Sequence, residues 1–197
     1  MDHLRRQDRK LGRVIDSLGM LRAETNPDLC AALVSSVIGQ QISGKAAATV
    51  WERVVARFGE VTPSKLDRAS LEDVQSCGMS FRKAGYVKGI AAACEQGGLD
   101  LEGLKHLPDR EVVKALITLK GVGPWTAEMM LIFSLGRKDV VSWGDLAIRR
   151  GMMSLYGLDV LTREDFETIR RRYSPYGSVA SLYIWEVAHM PAGRHAP

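Results

Sequence analysis

Apolar residues recur at helical spacing along almost the whole chain. Leu11, Val14, Ile15 and Leu18 mark one amphipathic stretch, and Val112, Val113, Ala115, Leu116 and Leu119 mark another. A third, opening at Pro124, carries Trp125, Ala127, Met129, Met130, Leu131, Ile132 and Phe133 and keeps little polar face, as a central helix does. Capping chemistry then sets boundaries. Asn26-Pro27 reads as an N-cap with proline at the first helical position, opening "DLCAALVSSVIGQQIS". Gly44 breaks that run before "KAAATVWERVVARFG". Thr62-Pro63 begins a short helix, and Leu71 to Cys77 supplies another. Ser80 caps "FRKAGYVKGIAAACEQGG", whose double glycine is the stop. Thr162 with Asp165 has the spacing of a capping box, and Pro175 begins "PYGSVASLYIWEVAHM". Alternation is confined to the short "DVVSW" piece, so the predicted class is all-α.

Between the second and third of these stretches stands Gly121-Val122-Gly123-Pro124. Gly121 and Gly123 are expected to supply a positive φ or a close backbone approach, and Pro124 suits a first helical turn. The unit reads helix, tight hairpin, helix. A hairpin that starts a helix turns backbone N–H groups outward, which suits an anion such as phosphate. An ordinary interhelical turn is the plainer alternative.

A chain of 197 residues holds one good core or two small packed lobes. Its 46% hydrophobic and 25% charged residues are those of a globular protein. No apolar stretch is long enough to span a bilayer and the N-terminus lacks a signal-peptide core, so an intracellular location is expected, without a membrane partner. The net charge of +4 favours a polyanionic partner. Basic clusters stand at Arg5, Arg6, Arg9 and Lys10, at Arg149 and Arg150, and at Arg170, Arg171 and Arg172, each of which also reads as a solvated face. Cys30, Cys77 and Cys94 have no C-x-x-C spacing, and His3, His106, His189 and His195 form no ligand-spaced motif. No metal site and no cofactor is expected.

In "RKDVVSWGDLAIRRGM", Asp145 by itself reads as a helix N-cap. A short distance after "LKGVGPWTA", it resembles the essential aspartate of the helix-hairpin-helix DNA glycosylase superfamily, in which a Leu-x-Gly-Val-Gly hairpin, an apolar helix and a loop lead to that residue. The alkylation-repair branch, of the 3-methyladenine DNA glycosylase II type, is the nearest. "VSSVIGQQISGKAAATV" resembles its helix pair near the intercalation site, and "SLYIW" its aromatic C-terminal helix. The resemblance covers about residues 25 to 190. It implies one domain over residues 1–197, two helical lobes with the active-site cleft between them, acting as a monomer on damaged double-stranded DNA, in the cytoplasm, or in the nucleus of a eukaryote. By the resemblance, Asp145 is catalytic and Trp125 and Trp185 wall the base pocket. Gly121, Val122 and Gly123 hold the DNA backbone, and Gln40, Gln41 and Ile42 form the loop that fills the gap left by a flipped base, its tip unassigned. Two departures from the family are expected: the branch with a separate β-rich N-terminal domain is longer than this sequence, and the cluster-binding cysteines of the endonuclease III branch have no counterpart here. The two tryptophans also read as ordinary core aromatics. Trp51 and Trp143 match no pocket role and read as packing or surface residues. Rival readings are a glycosylase of the same fold acting on uracil or deaminated purines, a non-catalytic hairpin DNA-binding protein, and an all-α scaffold for a protein partner.

Overall fold

The computed structural model describes residues 1–190, so His195 lies outside the described residues. Twelve α-helices and one 3₁₀ turn are found among them, with no strand. The helices are α1 Asp2–Gln7, α2 Arg9–Leu18, α3 Leu29–Gly39, α4 Gly44–Phe58, α5 Pro63–Arg68, α6 Leu71–Gln75, α7 Phe81–Glu95, α8 Asp109–Leu116, α9 Pro124–Phe133, α10 Leu146–Tyr156, α11 Arg163–Tyr173 and α12 Gly177–His189. They fall into two units: Asn26–Leu135 forms one, and Met1–Thr25 with the segment from Gly136 onward forms the other.

The Asn26–Leu135 unit is built around α3, which buries Leu33, Val34, Val37 and Ile38 and packs on α4, α7 and α9. α7 buries Ala84, Val87, Ile90 and Ala91, facing α3 as well as α5 and α6. α3 starts later than its sequence predicts. Asp28, not Asn26, is the cap, and its side chain accepts the Ala31 N–H at 3.0 Å. Asn26 is drawn away on both sides. Its Oδ1 accepts the Asp28 N–H at 3.1 Å, and its own N–H donates to the Phe133 carbonyl at 2.8 Å. Two good capping residues compete here, and the one with the tertiary anchor is lost to the helix.

In the other unit, Leu11, Ile15, Ile148, Met152, Phe166, Tyr173, Tyr183 and Ile184 form the core. α1, which no periodicity announced, is a short charged segment that buries Leu4 alone. α10 and α12 approach closely at Gly151, where a Cβ would lie 2.2 Å from the Ile184 carbonyl oxygen. Asp8 caps α2 and is 4% exposed. The Tyr156 hydroxyl donates to Asp8 Oδ2 at 2.7 Å and pairs with the Tyr173 hydroxyl at 2.7 Å, and Arg172 lies 3.3 Å from the same carboxylate. A buried carboxylate is tolerable when it is paired in this way.

The "DVVSW" piece is a loop rather than a strand, buried at Val140, Val141 and Ser142. Its backbone is satisfied by α12: the Val140 N–H donates to Ser178 Oγ at 3.0 Å, and Ser181 Oγ donates to the Val140 carbonyl at 3.2 Å. Helix hydroxyls thus replace a neighbouring strand and fix the loop that leads into Asp145.

Candidate active site and nucleic-acid interface

In the Asn26–Leu135 unit, the hairpin joins α8 to α9 through a turn closed by the Val122 N–H on the Leu119 carbonyl at 3.1 Å. Gly121 has φ +88°, and a Cβ there would fall 2.3 Å from the Tyr86 ring, so conformation and close approach both demand glycine. Val122 is buried and pins the hairpin to the core. Gly123 differs from its sequence expectation. It is the N-cap of α9 at φ −96°, ψ 174°, an ordinary extended conformation, and a Cβ there would meet nothing within 4 Å. Nothing inside the protein requires glycine at this position, and the space before it is open.

The Gln40-Gln41-Ile42 loop links α3 to α4, and its three residues are not equivalent. Gln40 Nε2 donates to the Gly121 carbonyl at 2.7 Å. Gln41 is exposed at φ +58°, the one non-glycine residue in the left-handed region among those described, and Ile42 is 41% exposed. Holding a side-chain-bearing residue there costs roughly 1–2 kcal/mol. Gln40 and Gln41 line a cavity of about 420 Å³ with Ser36, Gly39, Trp125, Thr126 and Met129. Trp125 is 45% exposed, a high value for an indole, because α9 puts it at its first turn beside this hollow.

In the other unit, Asp145 caps α10 and is only 7% exposed. Its Oδ1 accepts the N–H groups of Ala147 at 2.8 Å and Ile148 at 3.1 Å. Its Oδ2 accepts the indole N–H of Trp185 at 3.1 Å. Capping and carboxylate chemistry therefore coincide in one residue, placed at the N-terminal end of a helix. Trp185 reaches it because Gly151 lets α12 lie close on α10. The indole that the resemblance assigns to a pocket wall here donates to the carboxylate, and its ring packs partly on the unit's core. Trp143 is flanked by the guanidiniums of Arg149 and Arg163, 5.2 and 5.1 Å from its ring centroid. Elsewhere the basic clusters are partly matched on the protein, Arg5 by Asp2 and Asp16 and Arg170 by Glu167.

One further side chain was not singled out by its sequence. Lys83, on the first turn of α7, donates through Nζ to the carbonyls of Ile38 at 2.7 Å and Gln40 at 2.5 Å. Burial, with Arg82 nearby, holds its pKa below the usual lysine range. A lysine at the positive end of a helix runs against the helix dipole, and that is the one signal its sequence carries.

Hairpin, apolar helix and capping aspartate all lie within residues 34–175, the stretch that matches the model of the HhH-GPD superfamily of base excision DNA repair proteins. The chain belongs to this superfamily. A relative named as a DNA-3-methyladenine glycosylase, YfjP of Bacillus subtilis, is 32% identical over 78% of this chain, which spans 56% of that protein's length. DNA-3-methyladenine glycosylase 1 of Schizosaccharomyces pombe is 32% identical, with 80% of this chain and 72% of that protein covered. Among solved structures, a DNA-3-methyladenine glycosidase of Bacillus halodurans superposes with a TM-score of 0.84 at 36% identity, covering 94% of this chain and 87% of its own. The 3-methyladenine DNA glycosylase of Schizosaccharomyces pombe in complex with abasic DNA gives 0.83 at 30% identity, with 96% of each chain covered. No helix among the described residues is long and apolar enough to cross a membrane.

Proposed function

We propose that this superfamily member is a monofunctional DNA glycosylase that excises alkylated bases of the 3-methyladenine type from double-stranded DNA. The observation that carries this reading is the Asp145 carboxylate, nearly buried and held by helix N–H groups and an indole at a helix N-terminus. Breaking an N-glycosidic bond develops positive charge on the sugar as the base departs. A fixed carboxylate beside that sugar stabilises the charge or orients the attacking water, and its alignment before the reaction makes the effect large. A base stacked in a duplex is out of reach, so the nucleotide is extruded, and apolar or aromatic walls receive it.

Gly121, Val122 and Gly123 grip the DNA backbone through main-chain groups, in the open space before α9. Gln41 fills the gap left by the flipped base. Gln40 is engaged with Gly121, whereas Gln41 is exposed and held at a positive φ, with Ile42 beside it. Trp125 is a wall of the base pocket, and Trp185 is another wall as well as a support for Asp145. An alkylated purine carries positive charge, so an indole face favours it by roughly 0.5–2 kcal/mol, and its charge already makes it a good leaving group. By the family resemblance, Trp125 stands where the bifunctional branch has its Schiff-base lysine, and it has no amine to form one, so the product is an intact abasic site. The enzyme acts as a monomer, without metal or cofactor, in the compartment that holds the DNA: the cytoplasm, or the nucleus of a eukaryote.

Incubation with methylated genomic DNA, followed by mass spectrometry of the released bases, tests the assignment. Free 3-methyladenine with uncut strands is the expected result. Release of uracil or hypoxanthine alone would move the assignment to another lesion, and a covalent adduct after borohydride would contradict the monofunctional mechanism.

A further inference from the structure

The loop that carries Gln41 has a support of its own. Its backbone is strained at Gln41, and the carbonyls that flank the end of α3 have no further helical turn to pair with. The Lys83 ammonium meets two of them, those of Ile38 and Gln40, at 2.7 and 2.5 Å. An ammonium on carbonyls at the negative end of one helix offsets its own unfavourable place at the positive end of another. Lys83 also lines a second hollow of about 300 Å³, along with Gln40, Gln41 and Ile42. From the same Gln40, the side chain runs on to the hairpin, donating to Gly121 at 2.7 Å. Main chain and side chain of one glutamine thus join three elements: α7, the loop and the hairpin.

We propose that Lys83 is a positioning residue, which holds the Gln40-Gln41-Ile42 loop in its gap-filling shape and, through Gln40, ties that loop to the hairpin that grips the DNA strand. The inference rests on the gap-filling role assigned to this loop. Gripping the strand and filling the gap are then one linked event. A strained loop without its cation relaxes, and the hairpin still binds while the gap goes unfilled.

The test uses a duplex carrying a stable tetrahydrofuran abasic site with 2-aminopurine opposite it, so that it reads insertion without needing catalysis. Wild-type protein is expected to change the fluorescence as the loop enters the stack. Lys83→Met should bind within about 3-fold of wild type by anisotropy and lose most of the fluorescence change. Its base release from methylated duplex should fall roughly 10-fold or more, as expected when a charge-assisted hydrogen bond is removed. Lys83→Arg, which can reach the same carbonyls, should recover most of both signals. A full fluorescence change with Lys83→Met overturns the proposal, as does a loss of affinity parallel to the loss of fluorescence. If Lys83→Met does not fold, Lys83→Gln is judged by the same two readings. Wild-type binding with no fluorescence change would overturn the loop's role and that of Lys83 together. Absence of base release by wild type, with the fluorescence pattern intact, would instead count against the glycosylase assignment alone.

Discussion

Asp145 is restrained through both carboxylate oxygens, by two helix N–H groups on one and an indole on the other. This separates the two roles proposed for Trp185, which a single substitution can distinguish. Phenylalanine keeps an aromatic wall and removes the donor. Trp185→Phe should lower kcat roughly 10- to 100-fold, the worth of one hydrogen bond to a charged group, with little change in KM. The loss should be similar for cationic 3-methyladenine and neutral hypoxanthine. Near-wild-type turnover by the Phe variant would reduce Trp185 to a wall. The sequence made Asp145 legible because a capping aspartate followed a recognisable hairpin at a characteristic distance. It could not show the indole contact, which depends on Gly151 admitting α12 close to α10 across the chain. Lys83 was hidden for another reason. A lysine in "FRKAGYVK" reads as a solvated charge until the end of α3 is seen against it.

At the scale of the hairpin, the two glycines make opposite predictions. Gly121 is required by its positive φ and by the Tyr86 ring, so Gly121→Ala should destabilise the fold by about 1 kcal/mol or more. Gly123 has neither constraint. Gly123→Val should leave the melting temperature close to wild type and weaken binding to damaged and undamaged duplexes alike, since phosphate contacts carry no base identity. Thermal melts with anisotropy titrations check both. A Gly123→Val variant that keeps full DNA affinity would remove the hairpin from the interface. Local chemistry placed most helix ends well, as at Thr62, Ser80 and Thr162, whose side chains all cap as their sequences imply. Where tertiary bonds compete, it did not: Asn26 gives its N–H to Phe133 and loses the cap to Asp28, and the "DVVSW" loop borrows serines from α12.

For the whole molecule, the all-α class followed from periodicity, whereas the division into units did not, because α1 and α2 join helices more than 120 residues later in the chain. That long-range core contains groups whose ionisation is linked to stability. Burial pushes the Tyr156 and Tyr173 phenols well above their ordinary 10.0. In the other unit, burial pushes Cys30 from 9.0 up to about 12 and Cys94 up to about 11. All four are raised acids, so the unfolded chain gives up these protons first. Their contribution is complete below about pH 9 and declines as pH climbs toward the folded values, by up to about 1.4 kcal/mol per pH unit for each group. Urea midpoints between pH 8 and 11.5 should fall, less steeply in Tyr156→Phe than in wild type. A flat profile to pH 11 would contradict the linkage.

The proposed function turns on one carboxylate in this DNA-repair fold. Asp145→Asn removes its charge while keeping the side chain's shape and a helix-capping oxygen, although the amide Nδ2 cannot accept the Trp185 N–H that Oδ2 accepts. The measurement is single-turnover release of 3-methyladenine from one defined duplex, with DNA affinity followed in parallel. At least a ~100-fold slower release is expected, with affinity unchanged or improved. Release at near the wild-type rate by a folded Asp145→Asn protein would contradict the catalytic role of the carboxylate.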